Sequence, residues 1–255
     1  MAISQNWLAD RATELQASLA FCTRLPLLRT TPTASDTLAK AAWALPLAGL
    51  VVGLIGAAAY AIARKFGLPP WPASALAVAA TVLVTGALHE DGLADTADGF
   101  GGGATREQKL DIMRDSHVGA YGVCALVLSL LLRVAAVASM PNGHLAVWAL
   151  VGAHTAARAM LPVMMFLLPP ARSDGLSFEA GRPQIDGVAA AVAIGFVVLA
   201  SCIHPGRAII AVIFIGLVVA LMAWLAQRQI AGQTGDVLGA LEQVSEITAL
   251  LVALG

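Results

Sequence analysis

Seven apolar runs, at residues 41–63, 73–89, 118–140, 145–168, 187–203, 208–226 and 237–254, decide which solvent this chain folds in. A helix needs about 20 mostly apolar residues to cross the hydrocarbon of a bilayer, and each run comes close to that length. In water, a chain with 58% hydrophobic and only 12% charged residues would have to bury nearly all of its apolar surface in one core. A soluble fold of this size leaves roughly a quarter of its unfolded surface exposed, so that burial is out of reach. Disorder and nucleic-acid binding are excluded on the same ground, because both demand abundant charge. The expected fold is all-α: a polytopic integral membrane helical bundle of about seven transmembrane helices, with residues 1–255 forming one membrane domain. The lipid bilayer is then a partner in itself, and a homo-oligomer is compatible with such a chain.

The opening residues do not read as a signal peptide, since Asp10 and Glu14 interrupt them before any compact apolar run. Trp7, Leu8, Leu15 and Leu19 recur at roughly helical spacing within 3–22. They predict an amphipathic helix on the membrane surface, in an interfacial segment covering 1–30. Cys22, Cys124 and Cys202 lie far apart, so neither a zinc site nor a disulfide framework is indicated.

Basic residues set the orientation. With the N-terminus cytoplasmic, Arg11, Arg24, Arg29, Lys40, Arg106, Lys109, Arg114, Arg172, Arg182 and Arg228 face inward. Only Arg64, Lys65 and Arg207 then face outward, while Arg133 and Arg158 fall within spans. Ten cations against three select this orientation. The polar segments 90–117, 169–186 and 227–236 then all lie on the cytoplasmic side.

Seven of the 16 acidic residues cluster between 90 and 115, in the stretch that begins HEDGLADTADGFGGG. Asp91, Asp95 and Asp98 follow i, i+4, i+7 spacing, so on a helix they share one face. Three like charges on one face call for a cation. Carboxylates without histidine–cysteine clustering favour Mg²⁺ or Mn²⁺ over zinc, and Mg²⁺ is commonly held by one or two carboxylates plus substrate phosphates. The glycine run that follows, including Gly101 and Gly102, allows backbone N–H groups to approach a phosphate. Arg106, Lys109 and Arg114 come next, as cations for the remaining phosphate oxygens. The whole of 90–117 is expected to be a cytoplasmic catalytic loop.

Other polar residues stand out against the apolar background. Arg158 sits inside the fourth run, four residues after His154, and a charge at that depth calls for a partner or a cavity. It is a candidate phosphate ligand, with a structural ion pair as the competing reading. Structural pairing is the default for Arg133. Asp236, Glu242 and Glu246 belong to GQTGDVLGALEQVSE, and the two glutamates enter an apolar run. They suit a second metal, a general base or a packing network. Arg172 and Asp174, in ARSDGLS, lie on the same cytoplasmic side.

Together, HEDGLADTADGFGGG, KLDIMRDSHVGAYG and GQTGDVLGALEQVSE resemble the cobalamin synthase (adenosylcobinamide-GDP ribazoletransferase) family. FCTRLPL, AAWALPLAGLVVG, Arg158 and ARSDGLS fit in the same order, so the resemblance runs from about residue 20 to the C-terminus. It implies a multi-pass enzyme of the cytoplasmic (inner) membrane, dependent on Mg²⁺, with its active site on the cytoplasmic face. The implied substrates are adenosylcobinamide-GDP and α-ribazole or its 5′-phosphate, and GMP is released. The aspartate motif is also similar to the signatures of CDP-alcohol phosphotransferases, without their alanine–arginine element, because Ala94 is followed by Asp95.

On this resemblance Asp91, Asp95 and Asp98 would hold the metal, and Arg106, Lys109 and Arg158 would neutralise phosphate oxygens. Gly101, Gly102, Arg172, Asp236 and Glu242 would complete the substrate site. Asp98 or Asp115 would accept the proton of the attacking hydroxyl. Two other classes remain open at this point. One is a membrane prenyl- or phosphatidyltransferase, which would need a long apolar tunnel. The other is a cation transporter built on Glu242 and Glu246.

Overall fold

The computed structural model describes residues 5–26 and 36–255. Arg29, counted above among the inward cations, lies outside the described residues, as do positions 1–4 of the interfacial segment. Among the described residues there are helices and no β-strand.

Helix α1 (Gln5–Cys22) is followed by α2 (Asp36–Lys40), a 3₁₀ turn (Ala41–Ala44) and α3 (Leu45–Lys65). The face that α1 buries is small and polar: Glu14, Ser18 and Cys22, one helical turn apart. Ser18 donates to the Ala41 carbonyl at 2.9 Å, and Trp43 Nε1 donates to Glu14 at 2.6 Å. Hydrogen bonds therefore fix α1 to the entrance of α3, while Trp7 and Leu8 stay exposed. That is the arrangement an interfacial helix requires.

The second apolar run does not form one straight span to residue 89. Helix α4 (Pro70–Thr85) stops where Gly86 and Ala87 adopt left-handed φ values of 66° and 58°. That backbone suits glycine and strains alanine. The chain leaves at 89° as α5 (Leu88–Gly102). The segment expected to be a loop is thus largely helical. After α5, a capping box at Thr105 and Gln108 starts α6 (Arg106–Ile112). The four glycines of α5 weaken its intrinsic helicity, and packing against its neighbours outweighs that loss.

The chain continues as α7 (Ala120–Ala138), α8 (Gly143–Leu167), α9 (Leu176–Ala180), α10 (Ile185–Cys202), α11 (Pro205–Ile230) and α12 (Gly235–Leu254). Six stretches are long and apolar enough to cross a bilayer: Leu38–Lys65, α7, α8, α10, α11 and α12. The bent pair α4–α5 makes a seventh if it counts as one span. The chain is an all-α multi-pass membrane protein.

Helix α8 runs through the middle of the bundle. Gly53 of α3 faces it so closely that an added Cβ would lie 2.7 Å from the Val151 Cα. Gly195 of α10 meets Ala159 in the same manner, at 2.6 Å. Such small-residue contacts drive helix association where lipid offers no hydrophobic force. Leu128, Val197 and Phe214 of α7, α10 and α11 point outward, as lipid-facing residues should.

Candidate active site

A cavity of about 140 Å³ opens where α5 meets the N-terminal end of α12. One wall is apolar, built from Phe21, Leu45, Leu161, Met165 and Leu238. The other carries His89, Asp91, Arg172, Ser177 and Asp236. Five separated stretches of sequence meet here: FCTRLPL, AAWALPL, HEDG, ARSDGLS and GDVLG each supply at least one lining residue.

Two glycines make this meeting possible. A Cβ on Gly92 of α5 would sit 2.8 Å from the Asp236 carbonyl, and one on Gly239 of α12 would sit 3.2 Å from the Gly92 Cα. Only without side chains do the two backbones come close enough to put Asp91 and Asp236 on one rim. Gly92→Ala is expected to push α5 off α12 and to cost about 1–3 kcal/mol of stability, as overpacked interiors do. Thermal melting together with turnover checks this; an unchanged melting point with full turnover would show that the contact tolerates a methyl group.

Asp95, half-buried one turn after Asp91 on α5, lies outside the cavity lining, and the charges of Asp91, Asp236 and Asp98 act on it, opposed by that of Arg172. Arg172 lies 3.5 Å from Asp236 and 3.7 Å from Asp174, and its Nη1 is buried without a hydrogen-bond partner. Thr234 caps α12 by accepting from the Val237 N–H, and its hydroxyl donates to Asp236 at 3.1 Å. The positive end of the α12 dipole therefore also faces the cavity. The loop bearing Arg172 is held from several sides. Ala171 N donates to the Gln233 carbonyl at 2.8 Å, and Ser177 donates to the Gln233 side chain. Arg114 donates to both oxygens of Asp174 at 2.7 Å. Ser177, Gln233 and Thr234 were not singled out in the sequence; being uncharged, they carry no signal until the loops are docked.

Several expected site residues have other duties. Asp98 accepts from the backbone N–H groups of Gly119 at 2.7 Å and Gly122 at 2.9 Å. Each of its oxygens accepts one N–H in capping α7, and Asp98 is not part of the cavity wall. Asp115 is bonded to His117 at 2.6 Å, both side chains being exposed away from the cavity. That contact lowers the carboxyl pKa and raises that of the imidazole. Gly101 and Gly102 lie in the last turn of α5, where their N–H groups serve the helix ladder, and Gly101 packs on the Tyr121 ring. They form no open phosphate cradle. Arg106 donates to the carbonyls of Ile230 and Ala171, tying α6 to the site's loops. Lys109 is buried beside Gly103.

Arg158 and Glu242 are also absent from the cavity wall. They form a fully buried ion pair at 2.6 Å between α8 and α12. Arg133 pairs with Glu90 at 3.0 Å and lies 3.6 Å from Glu246, which is 3.3 Å from His154. Gln243 donates to Glu90 and Glu242, and accepts from Ser129. This network joins α5, α7, α8 and α12 inside the bundle. Among the described residues, the single group of three or more metal-ligand side chains with ligand atoms within 4.8 Å of one another is His154, Glu242 and Glu246. Two guanidinium groups already neutralise those carboxylates, which disfavours a metal there and removes the feature that suggested transport.

The family model for cobalamin-5-phosphate synthase matches residues 14–254. Among curated proteins, the adenosylcobinamide-GDP ribazoletransferase of Bradyrhizobium diazoefficiens is 55% identical over 249 residues, which cover 98% of this chain and 94% of that protein. The protein of the same name from Mesorhizobium japonicum is 53% identical over 235 residues, covering 92% and 90%. That from Azorhizobium caulinodans is 46% identical over 254 residues, covering 94% and 95%. No solved structure matches the chain.

Proposed function

The chain belongs to the cobalamin-5-phosphate synthase family, and on that premise we propose that the cavity between α5 and α12 completes the nucleotide loop of adenosylcobalamin. The activity in its relatives' names, adenosylcobinamide-GDP ribazoletransferase, makes the chain a transferase acting on adenosylcobinamide-GDP. The acceptor is α-ribazole or its 5′-phosphate, and GMP is the leaving group. The observation that carries this reading is the convergence of five family motifs on one cavity with a charged and an apolar wall.

A hydroxyl of the ribazole ribose attacks the phosphorus on the corrinoid side of the diphosphate. The new P–O bond forms as the bridging P–O bond breaks, and GMP leaves with the bridging oxygen and its electron pair. The hydroxyl proton passes to Asp91 or Asp236, the carboxylates that line the cavity, whereas Asp98 and Asp115 do not line it. Arg172, with one unpartnered guanidinium nitrogen, and the N-terminus of α12 face the phosphate oxygens. The apolar wall receives the flat base of ribazole and excludes water from the reacting bond. About 140 Å³ is less than the roughly 300 Å³ at which drug-sized pockets begin, so the corrinoid stays outside the mouth.

A diphosphate beside Asp91, Asp95 and Asp236 is repelled unless a cation lies between them. No three of these carboxylates gather into a closed metal cage. The donor set instead suits Mg²⁺, or Mn²⁺, held by one or two carboxylates and completed by substrate oxygens. Asp91, Asp95 and Asp236 would hold it, and the ion would neutralise charge on the diphosphate. The bias of basic residues supports a site on the cytoplasmic face of the inner membrane. EDTA is expected to stop GMP release by the reconstituted protein, and added Mg²⁺ to restore it. Full turnover in excess EDTA would refute the metal requirement while leaving the transferase reading standing.

A further inference from the structure

A second, larger recess lies away from the catalytic cavity, with a volume of about 860 Å³. It is an open groove between α1, the start of the Leu38–Lys65 span and the start of α10. Its cations are Arg11, Lys40 and Arg182, and its apolar side is Trp7 and Leu8. Both of those apolar side chains are exposed, at 49% and 60%.

Among the described residues the charges that line the groove do not sum to zero. Arg11 is bound to Glu14 at 2.6 Å, and Glu14 also accepts from Trp43. Asp186, the acidic residue of the groove lining, uses one oxygen to accept from the Gly187 N–H at 2.9 Å. Lys40 and Arg182 are both exposed. Arg182 is held in place by the Phe166 carbonyl at 2.7 Å and by the Phe166 ring at 4.8 Å. Lys40 and Arg182, set against the one carboxylate of Asp186, thus leave the groove lining net positive beside an indole and a leucine that water solvates poorly.

We propose that this groove binds an anionic phospholipid, with its phosphate between Lys40 and Arg182 and its glycerol and upper acyl carbons against Trp7 and Leu8. The groove sits where two apolar helices begin, on the side that the basic-residue bias assigns to the cytoplasm, and headgroups are found at that depth. Basic recesses between transmembrane helices on this side recognise anionic headgroups, and tryptophan favours the same interfacial layer. A free phosphate would satisfy the cations but leave Trp7 and Leu8 in water. The site would seat α1 on the bilayer surface, a second anchor besides its hydrogen bonds to the entrance of α3.

Native mass spectrometry of the full chain, exchanged between phosphatidylglycerol and phosphatidylcholine in nanodiscs, tests this. Wild type is expected to retain phosphatidylglycerol preferentially, and the double variant Lys40→Gln/Arg182→Gln to lose about tenfold of that preference. Arg64→Gln/Lys65→Gln, at the far end of α3, serves as the control that removes equal charge and should retain the lipid. Circular dichroism confirms that each variant remains folded. Equal retention by wild type and the groove variant overturns the proposal. Displacement of the lipid by millimolar inorganic phosphate overturns it too, because the site would then be one for a soluble anion.

Discussion

Asp91→Ala is expected to abolish ribazole-dependent GMP release from a protein that folds normally. Asp91 is exposed on the rim of the cavity, so truncating it removes no core contact and stability should move by less than about 0.5 kcal/mol. Its effect on chemistry is of another order. Phosphoryl transfer depends on positioning and charge neutralisation rather than on covalent help from the protein. Losing one such preorganised group costs about 10²–10³ in turnover, and a residue that would also hold the proposed cation belongs at the upper end of that range. Asp95→Ala should behave alike, because Asp91 and Asp236 are its charge neighbours. Asp115→Asn, in the same assay, should stay within about twofold of wild type, as exposed residues outside a site do. Near-normal turnover in both alanine variants would remove this cavity from the reaction.

Glu242→Ala should produce the largest loss of stability. The side chain is fully buried and lies 2.6 Å from Arg158, so its removal strands a guanidinium inside the bundle. Breaking a buried pair by removing one partner costs about 3–5 kcal/mol, a large share of the stability of a typical domain. Arg158→Met/Glu242→Leu removes both charges at similar volume and should recover most of that loss. Melting temperatures in one detergent, measured for the single and double variants, check the pair. If Glu242→Ala melts with wild type, the α8–α12 ion pair does not hold the bundle together.

The two kinds of site residue differ in how far the sequence exposes them. Asp91 and Asp95 are legible because i, i+4 spacing is local: once α5 is helical, they share a face whatever the rest of the chain does. The segment 90–117 as a whole reads as a polar loop between apolar runs, because the packing that makes most of it helical is tertiary. The duty of Asp98 depends on where the first turn of α7 docks, some twenty residues downstream. The fates of Arg158 and Glu242 are harder still. Each alone is a charge inside an apolar run, equally suited to a ligand or an ion pair, and only the crossing of α8 with α12 decides between them. The seven apolar runs, by contrast, carry the membrane architecture on length alone, apart from the break at Gly86 and Ala87. There the chain trades a straight second span for the turn that brings α5 against α12.

The most direct test of the assignment is GMP release by the liposome-reconstituted protein. The assay supplies adenosylcobinamide-GDP and Mg²⁺, with and without α-ribazole, and follows the corrinoid product. GMP release that requires ribazole and yields a stoichiometric cobalamin is expected. Folded protein that releases no GMP under these conditions, or releases it equally without ribazole, would contradict the assignment.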